Sequence, residues 1–225
     1  MLPYLIGGAA VLLSSVGAAI YKYYSEDDPP SPSNTVSLKR FAIWGRPNVG
    51  KTTFIARLCR RSVIVERKEA STSKQVYTSI PPIELDGNRY LINEIVDMPG
   101  TKDRLADWLD LVRTHEQVFY LVNLGLTHEK EYQAAVRHDL KKTVEKLLDC
   151  EKQNKTLHII FTHIDKSHLS HIKPEEVNNQ LHDDEIAKHF LEYTSEVKCY
   201  MYAVNLMDEN NFQQLINSIV RDANA

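Results

Sequence analysis

Eight consecutive residues, Gly45-Arg46-Pro47-Asn48-Val49-Gly50-Lys51-Thr52, restrict the fold of this chain more than any other stretch. They match the pattern G-x-x-x-x-G-K-[ST] at every specified position, and that pattern works as the turn between a buried strand and a helix. Both neighbours are present: the apolar run Leu38–Trp44 leads into the loop, and Lys51–Arg61 has helical spacing. Glycines let such a loop curl around phosphate oxygens with its N–H groups turned inward, and the helix N-terminus adds the positive end of its dipole. On this reading Gly45, Asn48, Val49 and Gly50 form the cradle. Lys51 reaches the terminal phosphates, Thr52 offers a hydroxyl to Mg²⁺, and Thr53 lies beside the first phosphate.

The rest of the chain alternates strand and helix. Val76–Leu85 and Arg89–Val96 read as strands joined by the turn Asp86-Gly87-Asn88. Pro81-Pro82 should bulge or break the first of them and confine it to an edge. Asp103–His115 is helical, Gln117–Leu124 a strand, Glu129–Lys152 a long amphipathic helix and Leu157–Thr162 a strand. Pro174–Tyr193 reads as one helix, Lys198–Val204 as a strand and Asn211–Arg221 as the closing helix. Such alternation predicts an α/β fold, with a mostly parallel six-stranded sheet and helices on both faces.

Two further motifs fall at strand ends. Asp97-Met98-Pro99-Gly100 ends the second of the hairpin strands, 46 residues after Lys51. An acid there is placed to hold Mg²⁺, and the Gly100 N–H to meet the last phosphate of a triphosphate. Thr162-His163-Ile164-Asp165 follows a later strand. The Asp165 carboxylate can accept both N1–H and N2–H₂ of guanine, an arrangement adenine does not offer. Near the end of the last strand, Ala203 is positioned by chain order to bring a backbone N–H to the guanine O6.

With these motifs in place, residues 36–225 resemble a Ras-like small G domain of the TrmE–Era–EngA group, whose P-loop is nearly GRPNVGKT and whose second switch opens on Asp-x-Pro-Gly. The resemblance implies a Ras-like P-loop NTPase fold, GTP and GDP as ligands, and a cycle in which two switch loops change order. It also exposes departures. The group's Asn-Lys-x-Asp is here Thr-His-x-Asp: Thr162 keeps a hydroxyl that can bridge to the P-loop, and His163 can lie on the base in place of a lysine stem. Of the usual Ser-Ala-Lys only Ala203 remains. Thr101 stands where Ras-like proteins carry a water-orienting glutamine, and Pro47 crowds the approach of an arginine finger. Relatives with an asparagine in the place of Asn48 bind K⁺ beside the phosphates; Asn48 either does so here, assisting catalysis with Lys51 and Thr101, or is a turn residue tolerant of left-handed backbone. A threonine of the first switch should join Thr52 and Asp97 around the metal; Thr72 is favoured over Thr78, which falls within the predicted strand.

The N-terminus has a different character. No charged residue occurs from Leu2 to Ile20, about 29 Å of helix at roughly 1.5 Å per residue. Tyr4 lies near one end, and Tyr21, Tyr23 and Tyr24 lie at the other, where an aromatic belt would sit. Residues 1–24 are read as a single transmembrane anchor; the competing readings are a cleaved signal peptide, for which a positive n-region is missing, and a buried or disordered soluble segment. Lys22, Lys39 and Arg40 follow the span and none precedes it, which places the rest of the chain in the cytoplasm. Residues 25–35, rich in proline, serine and acids, read as a flexible linker.

Composition narrows the partners. A net charge of −3 provides no global basic field, so no nucleic acid is expected. Three scattered cysteines, Cys59, Cys150 and Cys199, argue against a disulfide framework. The basic run Arg57, Arg60, Arg61 reads as a solvated helix face, and His163, His168 and His171 as a solvated loop without ligand spacing for a metal. The sequence thus predicts a membrane-anchored GTP-binding protein with slow intrinsic hydrolysis, helped by a protein effector, a dimer or a cation. The alternative is a poorly hydrolysing recruitment module, similar in layout to the β subunit of the signal recognition particle receptor.

Overall fold

The computed structural model describes residues 34–61, 73–150, 154–172, 174–181 and 184–224. The predicted anchor, the linker through residue 33 and Thr72 lie outside the described residues.

Among those, seven strands form one sheet in the order β2-β4-β1-β5-β6-β7, with β3 also on β4. β1 (Asn34–Gly45) pairs in parallel with β4 (Asn88–Asp97) and with β5 (Gln117–Asn123). β6 (Thr156–Thr162) and β7 (Cys199–Ala203) extend the parallel set. β1 starts two residues before the predicted domain start at Val36. Asn34 and Thr35 pair with Asn88 and Arg89, and ladder hydrogen bonding is indifferent to their polar side chains.

The predicted edge strand is two strands, which corrects the count of six. β2 (Gln75–Tyr77) and β3 (Ile83–Leu85) lie in succession along the free edge of β4, both antiparallel. Between them, the six steps from Tyr77 to Ile83 face the five from Ile95 to Tyr90. The interruption contains Pro81-Pro82, which cannot donate to a ladder. The hairpin turn is as predicted: Asp86 (φ 51°) and Gly87 (φ 74°) carry the two positive φ values of a type I′ turn.

Helices cover both faces. α1 (Lys51–Leu58) and α6 (Glu209–Asn224) pack through Phe54, Ile55, Phe212 and Leu215 on the face bearing Phe41, Ile43, Phe119 and Leu121. The other face bears Trp44, Tyr120, Val122 and Phe161 and carries α2 (Leu105–Thr114), α3 (Lys130–Leu148), α4 (Pro174–Leu181) and α5 (Glu185–Thr194). Covered on both faces and both edges, β5 and β6 are buried at every residue. Even His158 is inside, its ring stacked 4.6 Å from Phe119 and held by Gln117 and Tyr202; burial lowers it to about 3.

The single helix predicted over Pro174–Tyr193 is two. Asp184 restarts it as an N-cap, its Oδ1 accepting from the N–H groups of Ile186 (2.8 Å) and Ala187 (3.3 Å). The registers bring Gly45, Asp97, Asn123, Thr162 and Ala203 to the same end of the parallel strands. In an open α/β sheet this carboxyl end is where ligands bind.

Candidate functional site

β1 delivers the chain to Gly45, and the next five residues turn it into α1. Gly50, the N-cap of α1, has φ 84°. A Cβ there would sit 2.8 Å from Leu206 Cδ1 and 3.8 Å from His163 Cε1, so the loops after β6 and β7 close on the phosphate loop at this point. Asn48 is also left-handed (φ 61°), an uncommon conformation for a residue with a side chain.

Lys51 folds back over its own loop, its Nζ donating to Gly45 O (2.8 Å) and Arg46 O (3.1 Å). Burial lowers its ammonium to about 8, against the pull of the Asp97 carboxylate. Asp97, at the tip of β4, is raised to about 6 by burial, opposed by Lys51. Its Oδ1 has no hydrogen-bond partner, and an orphaned buried acceptor is costly. The Thr52 residue is exposed on the first turn of α1. A carboxylate oxygen without a partner and an exposed hydroxyl are the kinds of oxygen donor that Mg²⁺ takes, so Thr52 and Asp97 are the residues that would hold the ion that the predicted chemistry requires. When bound, Mg²⁺ neutralises charge developing on the phosphates.

Gly100 follows. A Cβ at this position would lie 2.4 Å from Gly45 O and 2.7 Å from Arg46 C, so a side chain would push the segment off the P-loop. Trp44 fixes the preceding residue, its Nε1 donating to Pro99 O (3.0 Å). Thr101 is half-buried; its carbonyl accepts from Arg104 N. Its side chain, close to Asp103, is the main cause that holds that carboxyl below its ordinary range. Thr53 is half-buried on α1.

On the base side, Thr162 Oγ1 lies 3.0 Å from Val49 O, the bridge to the P-loop that its hydroxyl predicted. His163 is half-buried with φ 57°, its Nδ1 2.9 Å from Thr162 Oγ1. Burial, then Lys166, lower its imidazole below the usual histidine range. Asp165 is exposed in the 3₁₀ turn Ile164–Lys166. The Ala203 N–H donates to Asn178 Oδ1 on α4 (2.8 Å), and the Val204 N–H to Phe161 O (2.8 Å). Just beyond them, Leu206 lies against Gly50.

Thr78 is not in a strand. It follows β2, which pairs Gln75 with Asp97 and then runs away from that residue, so Thr78 is carried away from Asp97. Arg60 and Arg61 of the basic run are exposed, as a solvated face requires, but Arg57 is not. Arg57 donates to Glu209 and to Met207 O (2.9 Å) and lies 5.5 Å from the centre of the Phe212 ring. Arg60 donates to Pro82 O (3.3 Å), and Arg61 lies over Tyr77. His168 is likewise engaged, 3.1 Å from Asp184. No group of three or more histidine, cysteine or acidic residues suited to a metal occurs among the described residues.

Two anchors of the loop escaped the sequence reading. Arg46 makes a buried bidentate pair with Asp139 on α3, Nε to Oδ2 at 2.6 Å and Nη2 to Oδ1 at 2.7 Å, and the Tyr120 hydroxyl donates to the same carboxylate (3.2 Å). Asn123, at the end of β5, donates from Nδ2 to Asn48 O (3.0 Å). Signals existed for both. Asp139 stands on the buried stripe Val136, Leu140, Thr143, Val144, and a buried acid calls for a cation. Asn123 is a polar residue closing an apolar strand.

The family model for 50S ribosome-binding GTPases matches residues 40–191, which span the phosphate loop, the Asp97–Gly100 segment and the guanine motif. The chain belongs to this family. It therefore carries a P-loop GTPase domain that binds guanine nucleotide, as the Lys51–Asp97 arrangement and the Thr162 bridge suit it to do. A search of curated proteins finds no match to it. Among the described residues of this GTPase, no helix is long and apolar enough to cross a membrane.

Proposed function

We propose that this GTPase is anchored to a membrane by residues 2–20, faces the cytoplasm, and acts as a nucleotide-dependent switch that hydrolyses GTP slowly. The observation that carries the switch is Gly100. It lies against the P-loop backbone at Gly45 and Arg46, and the chain runs from it directly into α2, so a change at the last phosphate is transmitted to a whole helix. Lys51 binds and orients the phosphates, Asp165 selects guanine, and His163 covers the base. Thr72 serves as the first-switch threonine. The membrane arm rests on the uncharged stretch Leu2–Ile20 with its flanking tyrosines; a protein effector or a second G domain would read the switch.

Slow turnover follows from Thr101. Its hydroxyl is too short to replace a glutamine in orienting water. The same observation favours a second reading, a GTP-gated recruitment module in which hydrolysis hardly matters. Single-turnover hydrolysis by the full chain separates the two: slow but complete conversion of bound GTP supports the switch, and intact GTP after hours supports the module. Repeating it in K⁺ and in Na⁺ tests Asn48, and equal rates remove the cation idea. Flotation with liposomes, with and without residues 1–24, tests the anchor; equal flotation of both forms rules it out.

A further inference from the structure

The ends of β5 and β6 are in register at Asn123 and Thr162, and each reaches a P-loop carbonyl. Asn123 Nδ2 donates to Asn48 O at 3.0 Å, and Thr162 Oγ1 lies 3.0 Å from Val49 O. These carbonyls are consecutive. Every peptide bond here is trans, so each carbonyl and the N–H of its own peptide point in opposite directions. Holding the Asn48 and Val49 carbonyls toward the strand ends therefore turns the Val49 and Gly50 N–H groups away from them. The two strands clamp the two peptides whose donors belong to the phosphate cradle.

The prongs are unequal. Thr162 has one hydroxyl proton and two carbonyls within reach, Val49 O and Val122 O at 3.2 Å. The Asn123 amide is committed. Its Oδ1 accepts from Gly125 N (2.9 Å), which fixes Nδ2 toward Asn48, and its own N–H donates to the Tyr132 hydroxyl (2.8 Å). Gly125 in turn packs on Lys166, where a Cβ would meet the Lys166 Cβ at 3.1 Å, beside the turn that carries Asp165. Asn48, meanwhile, is left-handed (φ 61°), a conformation asparagine tolerates better than most residues with a side chain.

We infer that Asn123 is a positioning residue of the nucleotide site, which holds the Asn48–Val49 peptide so that the Val49 N–H faces the β-phosphate. The inference rests on the guanine-nucleotide reading above. Its test uses the full chain with Mg²⁺, competing GTP, GDP and GMP against a fluorescent guanine nucleotide. Asn123→Asp keeps the acceptor for Gly125 N but replaces the donor with an oxygen facing Asn48 O; Asn123→Ala removes both. Both variants should weaken GTP and GDP alike, by about tenfold for one lost hydrogen bond and an opposed carbonyl. GMP has no β-phosphate, so its binding to Asn123→Asp should stay within about twofold of the unchanged protein, since the lost contact acts on the β-phosphate donor alone. Unchanged GTP and GDP affinity in Asn123→Asp overturns the inference, and so does a loss for GMP as large as that for GDP, which would mark a merely structural role. If the unchanged chain binds none of the three, the guanine-nucleotide reading falls and takes this inference with it.

Discussion

Arg46 and Lys51 sit five residues apart on the same loop, and each faces a buried carboxylate, yet the two pairs are built to opposite ends. Arg46 and Asp139 are closed on each other. The guanidinium makes two short bonds to the carboxylate, Tyr120 adds a third, and the side chains are 10% and 1% exposed. Burial pushes the Asp139 carboxyl up, opposed by Arg46 and the Tyr120 hydroxyl. Lys51 and Asp97 are left open. The lysine spends its protons on loop carbonyls, Asp97 Oδ1 has no partner, and both groups are pushed toward neutrality, to about 8 and about 6. A satisfied buried pair fixes a backbone; an unsatisfied one is stabilised most by a ligand that brings the missing charges. The first pins the loop to α3, and the second leaves its charges without a partner of their own.

The contrast breaks most sharply at Asp139. Asp139→Ala strands the buried guanidinium and should cost about 3–5 kcal/mol of folding stability, measured by urea denaturation of the nucleotide-free protein. Lys51→Met should do the reverse. It removes a desolvated charge, so nucleotide-free stability stays level or rises, while affinity for GTP falls about 100-fold, as expected for losing charged hydrogen bonds to phosphate. If Lys51→Met destabilised the protein as Asp139→Ala does, the two pairs would not differ in kind.

The pH dependence of the empty site sharpens the same point. The raised Asp97 favours the folded state at low pH, and that contribution is lost as pH rises through about 6. The lowered Lys51 favours it at high pH, and that contribution is lost as pH falls through about 8. Nucleotide-free stability should therefore dip between these values, by on the order of 2 kcal/mol, while Mg²⁺-dependent GTP binding is tightest in the same window. Denaturation midpoints within this window and on both sides of it, with Asp97→Asn erasing the acid-side change, check it. The smallest effect belongs to Arg57, whose partner Glu209 is 77% exposed. Glu209→Ala should change stability by less than about 1 kcal/mol, which thermal melting would resolve from the Asp139 variant.

These pairs also separate what one dimension shows from what three are needed for. The phosphate loop, the Asp97–Gly100 segment, the Asp86-Gly87 turn and the alternation of strand and helix are local: each depends on residue types a few positions apart, and each was legible. The break at Asp184 was legible in principle, since an acid that caps a helix is a local signal, but an apolar period running across it reads as continuous. The division of the edge into β2 and β3 followed from Pro81-Pro82, although its extent did not.

Other features had no local signal because their partners are remote. The Asp139 carboxylate meets a guanidinium 93 residues earlier, and the Asn123 amide meets a carbonyl 75 residues earlier. Ala203 has the family's residue in the family's place, yet its N–H is bound to Asn178, on a helix whose position only packing sets. Arg57 looked like one charge among three on an exposed face until α6 brought Phe212 and Glu209 to it. The sequence by itself pointed to a P-loop GTPase domain, because glycine conformations and motif spacing are local properties of the chain. The tertiary structure alone decided how the loop is held and which of its charges stay open, because burial and pairing exist only once distant segments share a core.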